Sequence, residues 1–135
     1  MSRFVAALVA VFALAACKNP VGVTVPIGGA GFVLAPHVVA AVGDEGLRLE
    51  FLRVSGDSRC PIDVVCIQGG DAVVHVKAED GTGSAELELH TGDSARASAP
   101  FRTYAVTLVD VHPYPFSGRT IAQKDYRVTL RVTRP

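Results

Sequence analysis

The clearest pattern in the chain is an alternation of period two near its C-terminus. Tyr126, Val128, Leu130 and Val132 are apolar, and Arg127, Thr129, Arg131 and Thr133 between them are polar. Such alternation places one set of side chains on a core and the other in water, and its Val and Thr content favours a strand. Ala72, Val74, Val76 and Ala78 repeat it, with His75 and Lys77 among the opposite set, as do Ala85, Leu87 and Leu89 against Glu86, Glu88 and His90. Between these two runs lies Glu79-Asp80-Gly81-Thr82-Gly83, a turn that predicts a hairpin. Leu47, Leu49 and Phe51 share one parity, whereas Leu52 and Val54 carry the apolar side to the other, so a β-bulge or a twist is expected near residues 51–52. Residues 32–34 and 37–42, split by Pro36, and residues 104–112, ended by His112-Pro113-Tyr114-Pro115, complete the set. No stretch after residue 17 has a period of 3.6.

About seven short strands with turn signals between them predict an all-β domain over residues 32–135: an antiparallel β-sandwich of immunoglobulin-like architecture. The Cys…Trp…Cys spacing of true immunoglobulin domains is absent, so this is an expectation of architecture alone. Residues 17–31 hold two Pro and four Gly and read as a tether before the domain, with Val23, Val25 and Ile27 allowing an edge strand as the alternative.

The N-terminus carries a second kind of pattern. Arg3 is followed by thirteen unbroken apolar residues, 4–16, ending in Leu14-Ala15-Ala16-Cys17. A bilayer span needs about 20 residues, so this run has the length of an export signal rather than a membrane helix. Leu14-Ala15-Ala16-Cys17 resembles the bacterial lipobox. The resemblance implies that residues 1–16 are removed as a signal peptide and that Cys17 is lipidated as the first mature residue. The domain would then be held to a membrane by acyl chains, which anchor stably when there are two or more. Lys18 stands where an Asp favours inner-membrane retention in such lipoproteins, so the resemblance implies the outer membrane, facing the periplasm.

Composition narrows the partners. Lys plus Arg and Asp plus Glu are equal at 13 each, and no run of one sign occurs, so a nucleic-acid footprint is not expected. No Trp is present, which disfavours an aromatic carbohydrate platform. Besides Cys17 the chain has Cys60 and Cys66, and in an exported protein this even pair predicts a disulfide closing a seven-residue loop. The stretch Ser58-Arg59-Cys60-Pro61…Cys66-Ile67-Gln68-Gly69, followed by a strand to about Val76, resembles a group of small bacterial lipoproteins and secreted proteins of unassigned function. That resemblance implies a disulfide-stapled, exported β-domain and brings neither substrate nor catalytic residues.

Candidate chemistry is sparse. With residues 81–82 as the hairpin centre, His75 opposes Glu88 and has His90 as a diagonal neighbour, a candidate for a surface copper or zinc site. No Gly-x-Ser-x-Gly elbow occurs, and Asp57 and Asp63 read as turn formers, so neither an enzyme nor a cofactor is expected. The loop at residues 57–66, with Arg59 and Pro61, is a candidate protease-inhibitor loop, and Tyr114 and Phe116 are candidate aromatic contacts. The leading expectation is a membrane-anchored, non-catalytic binding or structural module with an envelope protein partner. Periplasmic metal binding and protease inhibition are the alternatives.

Overall fold

A computed structural model describes residues 21–135, so the signal at 1–16, Cys17 and residues 18–20 lie outside the described residues. Among the described residues nine strands occur: β1 (Val21–Val25), β2 (Phe32–Leu34), β3 (Val39–Val42), β4 (Leu47–Asp57), β5 (Ala72–Asp80), β6 (Gly83–His90), β7 (Ser98–Phe101), β8 (Tyr104–His112) and β9 (Arg127–Thr133). A single 3-10 turn at Gln123–Asp125 is the only helical element among the described residues. The strands form a β-sandwich of two sheets, one ordered β1-β3-β4-β5-β6 and the other β2-β9-β8-β7.

The apolar sets of the β9 and β5 runs are buried as their pattern requires, whereas in β6 Leu87 and Leu89 are buried and Ala85 is exposed. Val128, Leu130 and Val132 of β9 and Tyr126 just before it are buried, as are Ala72, Val74, Val76 and Ala78 of β5. They meet Leu47, Leu49 and Phe51 of β4, Leu34 of β2 and Val106 and Val111 of β8 in one core. Burying each such aliphatic or aromatic side chain contributes about 1.5–3 kcal/mol, which offsets the ordering of short strands that are not stable alone. The expected bulge is present. Phe51 pairs with Val76 and Arg53 with His75, which leaves Leu52 as the extra residue and returns Val54 to the core. The hairpin also forms, with Asp80 opposite Gly83 and Gly81-Thr82 at the turn.

Two expectations change. Nine strands replace about seven, and the domain begins by Val21 rather than at residue 32. β1 pairs in parallel with β3, Val25 is buried, and the Gly28 N–H donates to the Val132 carbonyl at 2.8 Å. Most of the segment read as a tether is therefore an edge strand and its connection. The other added strand, β7, contains Pro100, which a sheet edge tolerates because no inner ladder needs its missing N–H. In the immunoglobulin arrangement the second and fifth strands pair within one sheet. Here β3, β4, β5 and β6 instead follow one another as a meander.

The β4–β5 connection and the β8–β9 connection leave the sandwich at the same end, and the two are bonded to each other. The Gly81-Thr82 turn and the Arg102-Thr103 turn lie together at the opposite end, where Arg102 reaches Asp80 and Thr82.

Candidate functional site

The disulfide between Cys60 and Cys66 is formed, and it closes the loop at the shared end of β4 and β8. What fixes that loop is Arg59. Its Nε and Nη2 donate to the two Asp57 carboxylate oxygens at 2.8 and 2.7 Å. Its Nη1 and Nη2 also donate to the Val111 and Pro113 carbonyls at 2.5 and 2.9 Å. A planar guanidinium with five donors suits this task, since one cation binds a carboxylate in a fork and two main-chain acceptors at the end of β8. The Tyr126 hydroxyl donates to Asp57 at 3.0 Å. Burial pushes the Asp57 carboxyl up, but the hydrogen bonds from Arg59 and Tyr126 and the Arg59 charge outweigh it and hold the group below its ordinary value. The Tyr126 phenol is pushed up to about 12 by burial and by the adjacent carboxylate.

Further ties complete the base. The Ile62 N–H donates to the Pro115 carbonyl at 3.0 Å. The Asp63 carboxylate accepts from the Ser117 N–H at 2.8 Å and from the Ser117 hydroxyl. The Ser58 N–H donates to the Asp71 carbonyl at 2.7 Å, and the Asp71 N–H returns to Ser58 Oγ at 3.0 Å. Gly70 is required by this closeness, because a Cβ there would stand 1.5 Å from the Ser58 carbonyl oxygen.

A rigid base carries an apolar tip. Val65 and Ile67 are fully exposed, Ile62 is 68% exposed, and Val64, Tyr114 and Phe116 are close to half exposed. Of the nine large apolar side chains exposed among the described residues, these six lie at this one end. Single exposed aliphatics are ordinary, but a cluster of them marks a contact surface. Beside it, Asp57, Pro115, Arg119, Ile121, Gln123 and Tyr126 line an open cleft of about 360 Å³.

The sequence-derived candidates distribute unevenly over this end. Arg59 is 9% exposed in its side chain and acts as the internal anchor, so it is not the projecting contact that an inhibitor loop would place in a protease cleft. Pro61 is half-buried at the loop base. Tyr114 is tied through its hydroxyl to Asp110 at 2.8 Å, and its ring meets the His112 ring edge-on at 4.7 Å. Phe116 lies under the Arg119 guanidinium at 4.9 Å. The residues that do project are Ile62, Val65 and Ile67. Their signal was four aliphatic side chains inside a loop too short to bury them.

The histidine candidates also differ from expectation. His75 does pair with Glu88 across the ladder, but His75 and His90 are both buried rather than open on a solvated face. His90 places Nδ1 against Asp71 at 2.5 Å and Nε2 against Glu88 at 2.9 Å. Two carboxylates facing both ring nitrogens suit the doubly protonated imidazolium, and the hydrogen bonds to Asp71 and Glu88 raise His90 above its ordinary value. His75 contacts Ser55 through Nε2 and Glu86 through Nδ1, each at 2.8 Å. Every ring nitrogen of the two is thus engaged, and among the described residues no group of three His, Cys, Asp or Glu side chains converges to hold a metal.

Ser55, His75 and Glu86 follow the hydrogen-bond order of nucleophile, base and acid, a series that sequence reading did not find because the residues come from three strands. Arg53 donates to the same Glu86 oxygen at 2.8 Å, so His75 shares that carboxylate with a cation. Ser55 is the extra residue at a second bulge in β4, where Val54 pairs with Val74 and Gly56 with Val73.

Among the described residues no helix is long and apolar enough to cross a membrane. Cys17 lies outside the described residues. No protein-family model, curated protein or solved structure matches this chain.

Proposed function

We propose that this protein is a lipid-anchored module of the bacterial cell envelope, a binding or structural protein rather than an enzyme, whose working surface is the disulfide-closed end of its sandwich. The observation that carries the reading is the fixed apolar tip: Val65 and Ile67 stand in solvent on a loop that Arg59, Asp57 and the 60–66 disulfide hold in one shape. A loop held rigid before contact loses little entropy on binding. The lipobox supports the anchor, and Lys18 supports the outer membrane. Replacing Cys17 tests the anchor. Cys17→Ser should lose acyl labelling and move the protein to the soluble envelope fraction, and a Cys17→Ser protein that stays in the membrane would overturn it.

One observation favours a second reading. The Ser55–His75–Glu86 series supports ester hydrolysis at Ser55. That reading expects turnover of a p-nitrophenyl ester that disappears in Ser55→Ala, and equal background rates in both proteins would leave the series as cross-strand packing.

A further inference from the structure

The direction in which the chain enters the domain bears on what the apolar end touches, and this step rests on the proposed anchor at Cys17. Val21 of β1 is level with Val39, which pairs with Glu50, and Val25 is level with Val42, which pairs with Leu47. From Glu50, β4 continues to Asp57 and into the disulfide loop. Following β1 backwards therefore leads toward the loop end and away from the Gly81-Thr82 turn. Cys17 precedes Val21 by four residues, which span at most about 14 Å. The strand rises by about 23 Å from Glu50 to Asp57, at ~3.3 Å per residue. A bilayer that takes the lipid thus lies close against the shoulder between β1 and the loop, and a domain leaning on that shoulder brings its loop end to the same surface.

The chemistry of the tip fits that surface. Ile62, Val65 and Ile67 project, and the one charged side chain of residues 62–67, the exposed Asp63 carboxylate, is turned onto Ser117, while Arg59 is largely buried on Asp57. Tyr114 flanks them with its ring half exposed and its hydroxyl on Asp110, and Arg119 covers Phe116, which is the amphipathic rim that suits a headgroup layer. A contact too weak to hold a free domain suffices once a lipid confines it, because the second contact is then intramolecular. We propose that the 62–67 loop tip inserts among the lipids of the anchoring leaflet, as a second membrane contact that sets the orientation of the domain.

The chain has no Trp, so one introduced Trp reports alone. The full-length protein, purified with its lipid, is placed in vesicles of phosphatidylethanolamine and phosphatidylglycerol. Val65→Trp is compared with Thr82→Trp at the opposite end, and Ile67→Trp serves as a second probe of the tip. Brominated lipid should quench the Val65→Trp and Ile67→Trp emission at least twofold and leave Thr82→Trp unchanged, while iodide should do the reverse. If both tip probes are as open to iodide as Thr82→Trp in protein whose mass shows acylated Cys17, the insertion is wrong and the anchor stands. If the mass shows no acyl group on Cys17, the anchor and the insertion both fall.

Discussion

Arg59 grips Asp57, two residues earlier in the chain, through two parallel hydrogen bonds of 2.8 and 2.7 Å, and also donates to the Val111 and Pro113 carbonyls at the end of β8. The loop that connects β4 to β5 is thereby locked to the end of β8. Removing one partner of a largely buried, charge-assisted pair leaves the other unsatisfied and costs about 2–4 kcal/mol. Arg59→Ala should lower the unfolding free energy in urea by about that amount. Arg59→Lys should recover only part of it, since an ammonium cannot bridge a carboxylate and two carbonyls in the same plane. An Arg59→Ala midpoint equal to the wild type would show that the fork holds nothing.

Gly70 and Gly69 form a matched pair. A Cβ on Gly70 meets the Ser58 carbonyl at 1.5 Å, whereas one on Gly69 meets nothing within 4 Å. Gly70→Ala should destabilise by about 2 kcal/mol or more, because main chain must move to admit it. Gly69→Ala should be near neutral. Thermal unfolding of the two single variants reads the difference, and equal melting temperatures would contradict the close approach of Ser58.

Closing the 60–66 loop removes about 2.4 kcal/mol of unfolded-state entropy in the chain-entropy estimate. The Cys60→Ser, Cys66→Ser double variant should be less stable by about that amount and still show the β-sheet circular dichroism of the wild type. Limited proteolysis should then cut within residues 61–69 first. Cleavage elsewhere in preference would mean that the disulfide is not what protects this end.

His90 gives stability a pH dependence whose sign follows from its partners. Held between Asp71 and Glu88, it is raised above the ordinary 6.5, so its contribution is full below that value and fades as pH climbs through the higher folded value. Asp71 is pushed up by burial, but the Gly92 N–H and His90 hold it below the ordinary 3.8, and the hydrogen bond from His90 holds Glu88 below 4.5. Their contributions are present above those values and are lost as pH falls through the lower folded ones. The three act together between about 4.5 and 6.5. His90→Gln should therefore differ most from the wild type near pH 5.5 and less near pH 8.5 in parallel urea titrations. A gap that widens with pH would reverse the assignment.

The fold was legible where burial on one face forces alternation. The alternation from Tyr126 to Thr133 points to a strand, which is β9, and the parity switch at Leu52 admits a bulge or a twist, of which the pairing of β4 with β5 shows the bulge. β7 was not legible, because Ser98-Ala99-Pro100-Phe101 offers a single large apolar side chain. β1 was ambiguous because the Gly and Pro around it fit a tether equally well, and only its partner β3 decides between them. At the functional end, the cysteine pairing followed from number and compartment. The role of Arg59 did not, since its carbonyl partners stand 52 and 54 residues away. The burial of His75 and His90 was hidden for a similar reason: Ser55 and Glu86 cover His75 from the two neighbouring strands, and Asp71, 19 residues away, covers His90.

The central claim is that the disulfide-closed end, and not another face, is where this domain meets its surroundings. Site-specific photocrosslinking in intact cells tests it most directly, with a benzophenone amino acid at Val65 and, separately, at Thr82 on the opposite end. Crosslinked lipid or protein adducts should form from position 65 and be absent or several-fold weaker from position 82. Adducts of equal yield from both ends, or from position 82 alone, would contradict the account.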